Sequence, residues 1–189
     1  MHQHLGMNGV RAHQPICWLA MLAILTLGAC AVRYSYAPRA GSTAKMPDSV
    51  TAEYPIPPTL PRGVLRVASV GVVAQPAERR HALQVTFVIL NEGDRMWRFD
   101  TREQRLELGL HPRTTPLFGS VGDGAPAVVE IPPGSEQVVD LLFPLPSQIQ
   151  QDTDLPTFGV VWMLDAAGDV VVRRTVFDRR SRTLNLEDW

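Results

Sequence analysis

The groups in this chain able to support hydrolysis or hold a metal are few and scattered. His81 follows Arg79 and Arg80 at the start of a strand pattern, and His111 stands before Pro112 in a loop. No third ligand of metal type accompanies either, so both read as surface histidines. Ser120 lies in Phe118-Gly119-Ser120-Val121-Gly122. That string departs from the G-x-S-x-G elbow, and no helix follows to complete its strand–turn–helix setting. Gly119, Gly122 and Gly124 are not followed by Lys-Ser/Thr, which excludes a phosphate loop and leaves a flexible one. Asp152-Thr153-Asp154, and Asp165 with Asp169, offer carboxylates to calcium, but calcium takes six to eight oxygens. Turn and cap roles are expected for these aspartates. Acid, base and nucleophile do not converge, so a hydrolase is disfavoured, and a non-enzymatic chain without cofactor or metal is expected.

Binding chemistry has more candidates. Trp97 and Phe99 flank Arg98 on a short strand, which puts both aromatics on one face. An exposed Trp beside Arg stacks sugars; core packing is the competing role. Arg173 and Arg174 are adjacent on a strand and point to opposite faces. With Arg79, Arg80, Arg179, Arg180 and Arg182 they could form a basic patch for acidic lipopolysaccharide or peptidoglycan groups. The alternative is a solvated strand face whose charge protects an edge. Trp97, Arg98, Phe99 and Arg173 are the candidate binding residues.

The remaining reactive group is a thiol. Arg11 precedes an apolar run from Ile16 to Thr26, and Leu27-Gly28-Ala29-Cys30 follows. A positive start, an apolar centre and small residues at the cut make a secretory leader. The apolar stretch is about 14 residues, short of the ~20 that a spanning helix needs. Leu27-Gly28-Ala29-Cys30 resembles the lipobox of bacterial lipoproteins. The resemblance covers only the leader, residues 1–29, and Met7 is an alternative start. It implies cleavage before Cys30 and a lipid on its sulfur, usually with a further acyl chain on the amine. Two or more chains anchor a protein stably to a bilayer, where one does so only marginally. Ala31 stands where the family's inner-membrane retention signal has Asp, which favours the outer membrane, periplasmic side. An ordinary secretory cleavage site after Ala29 is the competing reading.

Only two cysteines occur, Cys17 and Cys30. Loss of the first and lipidation of the second leave the mature domain without a thiol, a disulfide or a cysteine ligand for zinc. Stability must come from an apolar core. A formal net charge of −1 argues against nucleic acid as a partner.

From residue 30 to 61, Pro38, Pro47, Pro55, Pro57, Pro58 and Pro61 interrupt regular structure. This stretch reads as a Pro-rich tether, reaching roughly 30 Å as random coil and about 100 Å if fully extended. Disorder is expected in its first half, with partial docking near Tyr54 to Pro58. After Arg62 the apolar period becomes two. Segments 64–73, 83–90, 96–99, 106–110, 128–131, 138–143, 158–164 and 170–177 read as strands, with turns at Asn91-Glu92-Gly93 and Pro132-Pro133-Gly134. Asp165 to Asp169 is expected to close a hairpin by a type I turn with Gly168 left-handed. Trp162, between Val160 and Leu164, is expected in the core.

Short strands at this spacing predict an all-β antiparallel sandwich of about seven strands over residues 62–180, with a tail at 181–189. Val85-Thr86-Phe87-Val88-Ile89-Leu90-Asn91 resembles the second strand of bacterial immunoglobulin-like envelope domains. Ile131-Pro132-Pro133-Gly134 with Val138 to Phe143 resembles their entry into a later strand. The resemblance implies an immunoglobulin-like order, with segments 109–125 and 144–156 as loops at one end. Function is then expected to be a non-catalytic, lipid-anchored module binding an envelope protein or a cell-wall glycan. The alternative is an accessory chaperone or assembly factor of an outer-membrane or secretion complex, accepting a client strand at an exposed edge.

Overall fold

The computed structural model describes residues 33–39, 50–75, 80–109, 117–118 and 127–182. The lipobox, His111, Ser120, Arg79, most of segment 109–125 and residues 183–189 lie outside the described residues. Eleven strands are described: β1 (Arg33–Pro38), β2 (Thr51–Pro55), β3 (Gly63–Gln75), β4 (Arg80–Asn91), β5 (Trp97–Asp100), β6 (Arg105–Leu108), β7 (Leu117–Phe118), β8 (Val128–Ile131), β9 (Ser135–Pro144), β10 (Phe158–Ala166) and β11 (Asp169–Arg182). One 3-10 turn, Thr101–Glu103, joins β5 to β6. The chain is all-β, and its strands form two antiparallel sheets packed as a sandwich.

One sheet runs β2-β3-β4-β9, and the other runs β1-β11-β10, where β10 is met by both β5 and β6. Alternation drives the packing. On β4, Leu83, Val85, Phe87 and Ile89 are fully buried, while Gln84, Thr86, Val88 and Leu90 face the other way. From the opposite sheet come Trp97, Phe99, Leu106, Phe158, Val160, Trp162, Leu164 and Phe177. Full burial of a side chain of this size contributes about 1.5–3 kcal/mol. Trp162 is in the core, as its flanking residues predict. Its indole N–H donates to Thr175 Oγ1 at 3.0 Å, and Tyr54 OH lies 2.7 Å from the same oxygen. The Tyr54 and Trp162 rings meet edge to face at 5.0 Å.

That contact corrects the tether. Segment 30–61 contributes β1, which pairs with β11 from Arg33↔Arg182 to Pro38↔Phe177, and β2, which pairs with β3. The compact unit is Arg33–Arg182, not 62–180, and Ser181 and Arg182 belong to β11 rather than to a tail. The prolines do not break these strands, because Pro38 and Pro55 end them and Pro57, Pro58 and Pro61 lie in the following turn. Tyr36 and Ile56 are buried, and the Tyr36 hydroxyl lies 2.6 Å from the Leu155 carbonyl and 2.7 Å from that of Asp152. The strand count exceeds seven for the same reason, and because β5 and β6 are separate pieces along β10.

The hairpin also differs from expectation. Ala166 pairs with Asp169, leaving a two-residue loop in which Ala167 (φ 61°) and Gly168 (φ 101°) both have positive φ. This twist suits the flanking strands better than a type I turn does. Segment 144–156 is no free loop: Leu145, Ile149 and Leu155 are buried. Asp152 there caps a bulge in β3, its Oδ1 accepting from Val72 N at 2.7 Å. Asp154 Oδ2 accepts from Gln150 N at 3.2 Å, so both aspartates accept from backbone N–H groups, Asp152 across the fold and Asp154 within its own turn.

Candidate functional site

Three turns meet at the end of the sandwich that carries the β10–β11 hairpin. The first, 56–62, is closed by Ile56 N to Gly63 O (3.0 Å) and Arg62 N to Ile56 O (2.7 Å). The second, 92–96, is organised by Asn91, which is fully buried. Its Nδ2 donates to Arg95 O (2.8 Å) and Ile131 O (2.9 Å), and its Oδ1 accepts from Gly93 N (3.0 Å). A buried amide with all of these bonds holds its loop in one conformation. Glu92 N donates to Arg62 O at 2.8 Å, joining the two turns. The third turn is the Ala166–Asp169 hairpin.

Between them lies a cleft of about 310 Å³, walled by Pro57, Thr59 and Leu60, with Ala166 and Ala167 opposite. Its charged groups are Arg62, Asp94, Arg95 and Asp169, and Trp97 forms part of its floor. Arg62 and Asp94 make an exposed ion pair at 3.4 Å. Such a pair contributes little to stability and is readily exchanged for other partners. The lining carries two cationic and two anionic groups, so it can offer donors and acceptors together without a large net field.

The sequence candidates fall differently. Trp97 is 2% exposed and Phe99 is fully buried, so neither offers a face for stacking a sugar. Phe99 packs instead on Phe87, with ring centroids 5.1 Å apart. Core packing won because β5 carries its aromatics on the side facing β4. Arg98 projects to the opposite, outer face, where it is paired across strands with Asp165. There it lines a shallower groove of about 270 Å³ with Asp100, Glu103, Val128, Met163 and Val170. Arg173 is exposed and stands on the Trp162 side of β11. Arg98 and Arg173 are therefore on opposite faces of one sheet and do not converge. Arg174 is tied down, its Nε donating to Glu107 at 2.7 Å across Gly159. Arg179 donates to Thr153 O at 2.8 Å.

Arg62, Asp94, Arg95 and Asp169 are the site residues that sequence reasoning passed over. Alternate turns of an antiparallel meander lie at one end, so the charged residues of turns 56–62 and 91–96 were bound to be neighbours. That signal needed β2 to be recognised first.

No protein-family model matches the chain, and no curated protein matches it. Among solved structures, the chain is similar to an X-ray structure of Northeast Structural Genomics Consortium target SoR45, at 15% identity and a TM-score of 0.36, over 75% of this chain and 96% of that one.

Proposed function

We propose that this chain is a non-catalytic, immunoglobulin-like module of a bacterial envelope, held to the membrane through a lipid on Cys30 and binding an envelope protein or a cell-wall glycan. The observation that carries the reading is Leu27-Gly28-Ala29-Cys30 placed directly ahead of β1. The cleft lies at the hairpin end of β11, away from its pairing with β1, and gives the module a site for a partner. The favoured site is the periplasmic side of the outer membrane.

The test is Cys30→Ala. The wild type is expected in the membrane fraction and to incorporate labelled fatty acid, and the variant in the soluble fraction. Retention of the variant after a high-salt wash, with no label in the wild type, overturns the anchor.

The second reading, an assembly factor that accepts a client strand, is favoured by one observation. Among the described residues, no strand pairs with 169–175 of β11 on its β1 side, and Val170 and Val172 there are more than half exposed. Such an edge admits strand addition. Protection of amides 170–175 in hydrogen exchange on adding a client would favour it over the cleft.

A further inference from the structure

The floor of the hairpin-end cleft holds an unused donor. Trp97 is 98% buried by its 2% exposure, yet its indole N–H donates to none of the described groups. Among the described residues, Ser69 Oγ is the one side-chain polar atom both sealed from solvent and unpartnered. The Trp97 N–H is therefore reached from outside, and Trp97 lines this cleft. A donor reached by solvent can exchange its water for a ligand acceptor placed there.

Two further groups in the lining are unengaged. The Arg95 guanidinium and the Asp169 carboxylate make no side-chain hydrogen bond or ion pair with a described residue. Asn91 holds the Arg95 carbonyl, which fixes the backbone from which the guanidinium projects. The cleft thus presents a planar cationic fork and an N–H for an acceptor, and a carboxylate for a donor. A guanidinium binds a carboxylate through two parallel hydrogen bonds. Trp97 is 2% exposed, so the stacking platform used for a sugar ring is missing. The volume, about 310 Å³, is at the small end of ligand pockets, which run from about 300 to 1,000 Å³.

We infer that this cleft binds the carboxylate end of a peptide chain, the carboxylate on Arg95 and the Trp97 N–H, and a peptide N–H or ammonium on Asp169. The inference rests on the binding-module reading and names its ligand class, a peptide end in place of a glycan ring.

The experiment follows the indole N–H resonance of Trp97 by nuclear magnetic resonance, on the full chain in detergent solution. The probes are trialanine with a free carboxylate, trialanine amide, and chitotetraose. Free trialanine is expected to shift that resonance at millimolar concentration, and the amide to bind about tenfold more weakly. Arg95→Gln, a surface change, is expected to weaken trialanine about tenfold and leave the amide unchanged. Trp97→Phe removes the donor; circular dichroism checks that it folds, and Arg95→Gln carries the test if it does not. Equal binding of acid and amide, or an indole resonance that trialanine does not move, overturns the inference. Chitotetraose moving it instead also overturns the peptide and favours the glycan. The titration does not depend on lipidation, so its failure and that of the Cys30 anchor are read separately.

Discussion

Gln104 pairs with Met163 as a strand residue would, but through its side chain. Its Nε2 donates to Met163 O at 3.0 Å, and its Oε1 accepts from Met163 N at 2.9 Å. The pairing falls where β10 passes from β6, at Val161↔Arg105, to β5, at Asp165↔Arg98. Between them the chain leaves the sheet in the Thr101–Glu103 turn, and the fully buried amide fills the gap in the ladder.

Gln104→Leu is therefore expected to destabilise the domain although it adds apolar surface to a buried site. It leaves the Met163 N–H and C=O without partners, at about 1–3 kcal/mol. Urea titration should show a lower midpoint with an unchanged slope. A midpoint equal to the wild type would mean that the strand closes its own gap.

Thr175 carries a comparable burden between Trp162 and Tyr54. Thr175→Val keeps the shape and removes the oxygen that both neighbours use, stranding the Trp162 indole N–H and taking one bond from Tyr54. A loss of about 2 kcal/mol is expected, with Thr175→Ser close to wild type. Trp162→Ala is expected to cost more, about 3–5 kcal/mol, since it empties the centre of the core. Thermal melts check this, with Thr175→Ser expected highest, Thr175→Val lower and Trp162→Ala lowest.

A fragment of residues 62–180 is expected not to fold, and one of 33–182 to fold cooperatively. The shorter piece lacks Tyr36, Ala52, Tyr54 and Ile56, all buried. Truncating one large core residue costs about 2–5 kcal/mol, and a domain has only about 5–15 kcal/mol in hand. Dispersed amide resonances from the shorter fragment would contradict this.

Ala167 sits in a left-handed conformation at the hairpin tip, which costs a residue with a Cβ about 1–2 kcal/mol. Asparagine tolerates that conformation, and Asn-Gly is the preferred pair for such a loop. Ala167→Asn is expected to raise the melting temperature, recovering part of that cost. A lower melting temperature would show the strain to be absent.

Just past the end of β1, Arg39 grips Asp178 with two bonds of 2.9 and 2.8 Å. These bonds hold the Asp178 carboxyl below its usual range, with the charge of Arg39 adding to them and desolvation opposing. A depressed folded pKa contributes stability above the unfolded value, about 3.9, and that contribution is lost as pH falls through the lower folded value. Both side chains are more than a third exposed, so the effect is screened. The stability gap between wild type and Arg39→Gln is expected to be present at neutral pH and to close on acidification below about pH 4. A gap constant down to pH 2 would rule out Asp178 as its source.

Most of the sandwich was legible because its strands alternate. β4 announces itself by period two, β10 by a continuous apolar run, and the Asn91 turn by its turn residues. β1 and β2 did not, since each is short and bounded by proline, and proline density was read as the absence of structure. The site was illegible for a related reason. Its residues come from three turns, each ordinary alone, and only the pairing of β2 with β3 sets them side by side. Trp97 flanks Arg98 as a sugar-stacking candidate in sequence, but its ring packs in the core. Gln104 carried no signal, because a buried glutamine looks like any other until its strand partner is known.

The pairing of β1 with β11 bears on how the domain withstands tension. β1 runs from Arg33 toward the hairpin end, so a load at the cleft resisted at Arg33 pulls β1 lengthwise along β11. All six registered pairs, from Arg33↔Arg182 to Pro38↔Phe177, then carry the load together in shear. Pulling instead between Arg33 and Arg182 would separate the two strands from one end, one pair at a time. The same six residues are a clamp in the first direction and a zipper in the second.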